Sequence, residues 1–235
     1  MTRIIFIYIS IFTSIFLIIS PSHSHEINKD NIDTIIKNFL KKNPDFVKST
    51  LDNHKLFLEK QKRQNAIRLL KDIDNPGIFP KKADITIYEF FDYNCGYCKS
   101  VVKTIMDVLY EDKKINFIFV EFPILSQQSY IAAKAALASK KQDLYNNFHL
   151  SLMKIKGKVD EDKIFSTAKK IGLDINQLKI DMNSLEIEKQ LEKNREIAKL
   201  LGLNGTPAFI IGDIIYPGAL NLNKLQEIIK QFRES

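Results

Sequence analysis

Cysteine is nearly absent from this chain: only two occur in 235 residues, which excludes a fold stapled by several disulfides, the usual device of small secreted domains. There is no second cysteine pair to complete a four-ligand zinc site, and His54 and His149 lie far apart in sequence. Charge of one sign never accumulates. Lys and Arg total 35 against 28 acidic residues, a net +7, but the signs alternate as they do on solvated helix faces. A basic stripe interleaved with aromatics, the footprint of nucleic-acid binding, is missing, so no nucleic-acid partner is expected. Internal repeats and low-complexity tracts are missing too. What remains, at 45% hydrophobic residues, is an ordinary globular chain long enough for one full domain core plus an appendage.

The two cysteines stand together as Cys95-Gly96-Tyr97-Cys98. A bridge between them closes a tiny loop and removes little entropy from the unfolded chain, so the pair is poorly suited to stapling and well suited to redox chemistry. A purely structural disulfide and half of a zinc site are the alternatives.

At the N-terminus, Arg3 precedes an uncharged apolar run from Ile4 to Ile19, followed by Pro21 and Ser22-His23-Ser24. A basic start, an apolar stretch and small residues form the layout of a secretory signal, with cleavage expected after Ser24. An uncleaved anchor is the alternative, although the run is short for a span of about 20 residues. Either reading makes the rest of the chain exported, with a periplasmic location expected.

From Glu26 to about Lys71 the pattern is helical, and Ile32, Ile35, Ile36, Phe39 and Leu40 share one face. Asn43-Pro44-Asp45 is a helix restart, which predicts a second helix from Pro44 towards Leu70. On it Val47, Leu51, His54 and Leu58 follow steps of four and three, a short coiled-coil seam. Residues 25–75 thus form an N-terminal helical segment that packs either onto the rest of the chain or onto copies of itself. The breaker cluster from Asp74 to Pro80 marks the boundary to a catalytic domain over 76–235.

Within that domain Asp84 to Phe91 reads as a buried strand, and the cysteine pair follows in a short loop. Val101, Val102, Ile105, Val108 and Leu109 then place Cys98 on the inner face of a helix whose first turn contains or adjoins Cys95. A second strand spans Asn116 to Phe122. About 127–201 reads as an all-helical insertion, with Gly172 and Gly202 as helix stops. Ala208 to Tyr216 forms two short strands turning at Gly212-Asp213, and Asn223 to Phe232 a last helix. The fold class is α/β, with the pair at the carboxyl end of the first strand, where open α/β sheets place their sites.

A helix start offers unpaired N–H groups and a partial positive charge, and both favour a thiolate at Cys95. Cys98, one turn inward, is placed to attack a mixed disulfide formed at Cys95 and release the partner.

The segment from Tyr88 to Cys98 resembles the active site of DsbA-like thiol-disulfide oxidoreductases of the thioredoxin superfamily, and the insertion is arranged as in those proteins. Gly205-Thr206-Pro207-Ala208-Phe209 resembles the loop that in this family carries a cis-proline against the cysteine pair. The resemblance, over roughly 80–235, implies a thioredoxin fold with a helical insertion and a redox-active Cys95–Cys98 disulfide. It also implies that Thr206 and Pro207 dock an extended substrate and that Glu89 is a buried acid handling protons. A water-facing edge position is the alternative for Glu89. Tyr97 is a substrate contact or loop filler, and Asp92 is expected to be a solvated loop residue. No cofactor and no metal are called for. The expected partners are unfolded or reduced exported proteins and a redox partner that resets the pair. The middle pair Gly96-Tyr97, with Thr before Pro207, looks more like disulfide isomerases such as DsbC. The N-terminal segment resembles the oligomerisation segment of ScsC-like proteins. Disulfide formation, disulfide isomerisation by a homo-oligomer, and a non-catalytic chaperone or surface role stay open at this point.

Overall fold

The computed structural model of the protein describes residues 29–234, so the expected signal over 1–24 lies outside the described residues. Two units divide the chain, one ending at Asn53 and the other running from His54. In the first, α1 (Lys29–Lys42) gives way to α2 (Pro44–Lys71) through Asn43, whose side-chain amide donates to the Phe39 carbonyl at 2.8 Å. The restart works as its residues dictate. Pro44 needs no hydrogen-bond partner for its nitrogen, and Asp45 faces the positive end of the new helix. Phe39 and Phe46 meet edge-on with centroids 5.6 Å apart. The apolar face of α1 is open to solvent, with Ile35 61% and Phe39 50% exposed.

The second unit is built on a sheet ordered β1-β3-β2-β4-β5. Its central strands, β2 (Ile85–Phe91) and β3 (Ile115–Glu121), run parallel from Ile85 opposite Ile115 to Phe91 opposite Glu121. The connecting helix α3 (Gly96–Glu111) completes the strand-helix-strand unit that the sequence predicts. β4 (Ala208–Ile211) lies antiparallel to β2, and β5 (Ile214–Pro217) folds back on β4. Their turn needs Gly212, which has φ of 63° and faces the Phe232 ring where a side chain would stand. β1 (Gly77–Ile78) was hidden inside the breaker cluster. It pairs antiparallel with β3, and Gly77 lies so close to the Phe117 carbonyl that a Cβ would not fit.

Period-two alternation divides the sheet between two cores. Ile85, Ile87 and Phe91, with Phe117 and Phe119, face α3, α9 (Leu222–Glu234) and the insertion. Tyr88, Phe90 and Val120 face the other way, where Ala66, Ile67 and Leu70 from the end of α2 are buried against them. The last turns of α2 therefore belong to the core of the second unit, although the sequence assigns them to the appendage. A breaker cluster marks where a helix ends, not which core it serves.

The insertion comprises α4 (Gln127–Ser139), α5 (Tyr145–Met153), α6 (Glu161–Lys170), α7 (Ile175–Asp181) and α8 (Leu185–Leu200). Ser126, Asp160 and Asp174 cap α4, α6 and α7 by accepting N–H bonds from the first turn of each. Gly172 and Gly202 adopt the left-handed conformation expected of helix stops. Among the described residues no helix is long and apolar enough to cross a membrane.

Candidate functional site

β2 ends at Phe91, and four residues later Cys95 is the N-cap of α3, with φ −79° and ψ 116°. Its sulfur accepts the Cys98 N–H at 3.3 Å and donates to the Thr206 carbonyl at 3.2 Å. The thiol thus occupies the place that a serine or aspartate takes at other helix starts, where the unpaired N–H groups favour an anion. Both cysteines are free thiols; Cys98 is fully buried, and Cys95 retains 6% exposure. Lys99, in the next turn, donates to the Ile155 and Gly157 carbonyls at 2.9 and 2.6 Å. Burial lowers its pKa, while Asp92 and Cys95 pull the other way.

Glu89 is 1% exposed, so the water-facing alternative is ruled out. Its Oε1 has no hydrogen-bond partner, and burial raises its pKa from the ordinary 4.5 to about 8. The Cys98 thiol is pushed far up, chiefly by burial and then by the charge of Glu89. The otherwise unpartnered Thr206 hydroxyl and the Asp92 amide oppose that rise. Around Cys98 the fold thus gathers Cys95, Glu89 and Thr206 from three separate segments. The Thr206–Pro207 bond is cis, and Pro207 is buried beside a groove of about 360 Å³ lined by Leu203, Thr206, Ile215 and Pro217. Tyr97 stands 72% exposed.

Asp92 corrects its expectation, being fully buried instead of solvated. Its carboxylate accepts the N–H groups of Asn94, Ile124 and Leu125, which a chain leaving a buried strand must satisfy somewhere. His149, weighed in the sequence only as a metal ligand, is buried among Phe91, Phe119 and Tyr145. Burial lowers its pKa to about 3. Nearby, Tyr93 and Tyr145 donate to Glu121 Oε1 at 2.9 and 2.8 Å, and Tyr93 Oη lies 3.1 Å from His149 Nδ1. Burial drives Glu121 well above the ordinary carboxylate range. Only an aromatic-rich spacing around a strand end hinted at this network. Among the described residues no group of three or more His, Cys, Asp or Glu is arranged to hold a metal ion.

Comparison with known proteins assigns the chain to a family. Residues 86–230 match the family described as DSBA-like thioredoxin domain, and the chain belongs to it. A thioredoxin-like oxidoreductase from Silicibacter pomeroyi is 35% identical, with a TM-score of 0.68 over 71% of this chain and 96% of that one. The thiol-disulfide exchange protein alpha-DsbA2 from Wolbachia pipientis is 30% identical, with a TM-score of 0.69 over 74% of this chain and 95% of that one. Among curated proteins, a probable disulfide bond formation protein D from Bacillus anthracis is 28% identical over 60% of this chain and 72% of its own length. The chain also matches a Na(+)/H(+) antiporter NhaA 1 from Salinispora arenicola, 22% identical over 64% of this chain, but spans only 23% of that protein's length.

Proposed function

We propose that the chain is an exported protein-disulfide oxidoreductase working through a Cys95–Cys98 disulfide. The observation that carries this reading is the cap geometry. Cys95 receives the Cys98 N–H at the start of α3, while Cys98 is sealed below it against Glu89 and Thr206. In the oxidised protein a substrate thiolate attacks the Cys95 sulfur, the Cys95–Cys98 bond breaks, and the electron pair leaves on Cys98. Glu89, protonated at neutral pH because of its burial, is the acid that returns a proton to Cys98. A second substrate thiolate then attacks the substrate sulfur of the mixed disulfide, which forms the substrate's bridge and frees Cys95 as thiolate. The resulting dithiol passes two electrons to a redox partner that restores the disulfide. Thr206 and Pro207 line the groove in which an extended substrate docks, and the exposed Tyr97 is a further substrate contact.

Export rests on the signal-like residues 1–24, and a periplasmic-type compartment is the setting that keeps such a pair in use. A second reading, oligomeric disulfide isomerase, is favoured by the apolar faces of α1 and α2. Ile35, Phe39, Leu51 and Leu58 are all exposed, and a second copy of the same segment would cover them. In this reading residues 25–75 act as an oligomerisation segment whose last turns, with Ala66, Ile67 and Leu70, pack into the core of the catalytic domain of 76–235.

The activity is tested by the turbidity that develops as dithiothreitol reduces insulin, with and without the mature protein. Wild type should speed precipitation and Cys95→Ala should match buffer. Equal rates for wild type and buffer would leave the idle-cysteine chaperone in possession.

A further inference from the structure

Two side chains that take no part in the exchange step fasten the turn carrying Cys95. Asp92 accepts from Asn94 N at 2.7 Å through Oδ1, and through Oδ2 from Ile124 N and Leu125 N at 2.9 Å each. Its backbone carbonyl holds the Cys95 N–H at 3.0 Å. Asn94 binds Val159 in both directions: Oδ1 accepts from its N–H at 2.7 Å, and Nδ2 donates to its carbonyl at 3.2 Å. Nδ2 also donates to Ser129 Oγ at 3.2 Å, and Ser129 Oγ lies 3.0 Å from the oxygen of Ser126, the cap of α4. Only an amide fits this place. A carboxylate would set negative charge against the Val159 carbonyl and lose both donors.

The partners lie 32 to 65 positions on in sequence, so these bonds are tertiary and do not merely shape the turn. They reach the loop leading to the helical insertion at Ile124 and Leu125, and the insertion itself at the Ser129 hydroxyl and the Val159 backbone. The turn itself, from Asp92 to Cys95, lies between a strand and a helix and has no ladder of its own. The bond from Cys98 N–H to the Cys95 sulfur strengthens when the sulfur ionises, and it depends on the backbone angles of this turn. A loosened turn therefore spreads the sulfur over geometries in which the thiolate is less well held.

We propose that Asp92 and Asn94 are positioning residues that clamp the Cys95 turn to the helical insertion, so that the seating of the insertion sets the reactivity of the Cys95 sulfur. The proposal rests on the reading of Cys95 as the attacked sulfur and deepens it. The insertion thereby becomes part of the redox centre, since its docking holds the reduced turn in which the Cys95 sulfur accepts the Cys98 N–H. Loss of the clamp makes Cys95 slower to react and the disulfide less oxidising.

The test uses the full chain with Asn94→Ala, Ser129→Ala and Asn194→Ala. Asn194 is the structural reference, being a buried amide bonded to Asn75 Oδ1 at 3.3 Å and to the Glu121 carbonyl at 3.1 Å. Iodoacetamide labelling of Cys95 at pH 6 is followed by mass spectrometry, alongside equilibrium with glutathione and thermal unfolding. Asn94→Ala should slow labelling about three- to tenfold, the factor set by one or two net hydrogen bonds, and move the glutathione equilibrium towards the disulfide by a similar factor. Ser129→Ala removes one of the clamp's bonds, together with the Ser129–Ser126 contact, and should shift both readouts the same way by about twofold, which keeps the test decisive if Asn94→Ala fails to fold. Asn194→Ala should lower the melting temperature with Cys95 labelling unchanged. Wild-type labelling rates in both clamp variants, or an equal slowing in Asn194→Ala, overturn the proposal. If wild-type Cys95 is not labelled ahead of Cys98, the reading of Cys95 as the attacked sulfur falls and the clamp falls with it.

Discussion

Glu89→Gln should make the protein more stable at neutral pH, and the size of the gain follows from burial. The carboxyl has its pKa raised from 4.5 to about 8 inside the fold. In the unfolded chain it ionises near its ordinary value. Below pH 4.5 both states are protonated and its full contribution is present. As pH rises towards 8 the unfolded state sheds the proton while the folded state keeps it, so stability falls. At 1.36 kcal/mol for each tenfold change in proton equilibrium, wild type should lose about 3 kcal/mol between pH 5 and pH 7 from this group alone. His149 acts in the opposite sense. Its pKa is lowered from 6.5 to about 3 by burial, so its contribution is complete above 6.5 and is lost as pH falls. Between pH 4.5 and 6.5 these two slopes oppose each other while Glu121, also raised by burial, adds a second fall, so the wild-type curve by itself does not isolate Glu89. The difference between wild type and Glu89→Gln isolates the carboxyl. Urea unfolding of the reduced proteins across pH 5 to 8 should show near-equal stability at pH 5 and an advantage of about 3 kcal/mol for the variant at pH 7. A pH-independent difference would mean that Glu89 is not a buried neutral acid, and its proton role towards Cys98 would go with it.

Alkylation of the unfastened dithiol at mildly acidic pH should label Cys95 before Cys98, because burial pushes the Cys98 thiol up; earlier labelling of Cys98 reverses the assigned roles. Leu70→Ala should cost about 2–4 kcal/mol, since the side chain is fully buried against the sheet, whereas an unaltered melting temperature would detach the end of α2 from the core. Light scattering on the full chain should report an oligomer, and Ile35→Lys with Phe39→Lys should dissociate it while leaving the catalytic unit folded. A monomer in both cases removes the isomerase reading and leaves a monomeric oxidase.

Much of the fold was legible because its elements have strong local periods. The buried run from Ile85 to Phe91, the helical spacing after Cys98 and the Asn43-Pro44-Asp45 restart all fell within a residue or two of where the sequence puts them. What escaped was decided by distant partners. β1 is two residues long and exists only because β3 offers an edge, so Pro76-Gly77 looks like pure punctuation. Ala66, Ile67 and Leu70 look like a continuing helix face, and nothing local says which sheet receives them. Asp92 resembles any loop aspartate, because the amides of Ile124 and Leu125 that it satisfies are more than thirty positions away. The approach of Thr206 to Cys95 spans 111 positions and was legible only by resemblance.

The central claim is that Cys95 takes the substrate sulfur and Cys98 releases it. Its most direct test is trapping. Cys98→Ala, mixed with a reduced unfolded protein and a mild disulfide oxidant, should accumulate a covalent complex joined at Cys95, stable until dithiothreitol is added. Cys95→Ala should accumulate none, since Cys98 lies fully buried. A complex joined at Cys98 of Cys95→Ala, or none at Cys95 of Cys98→Ala, would contradict the account.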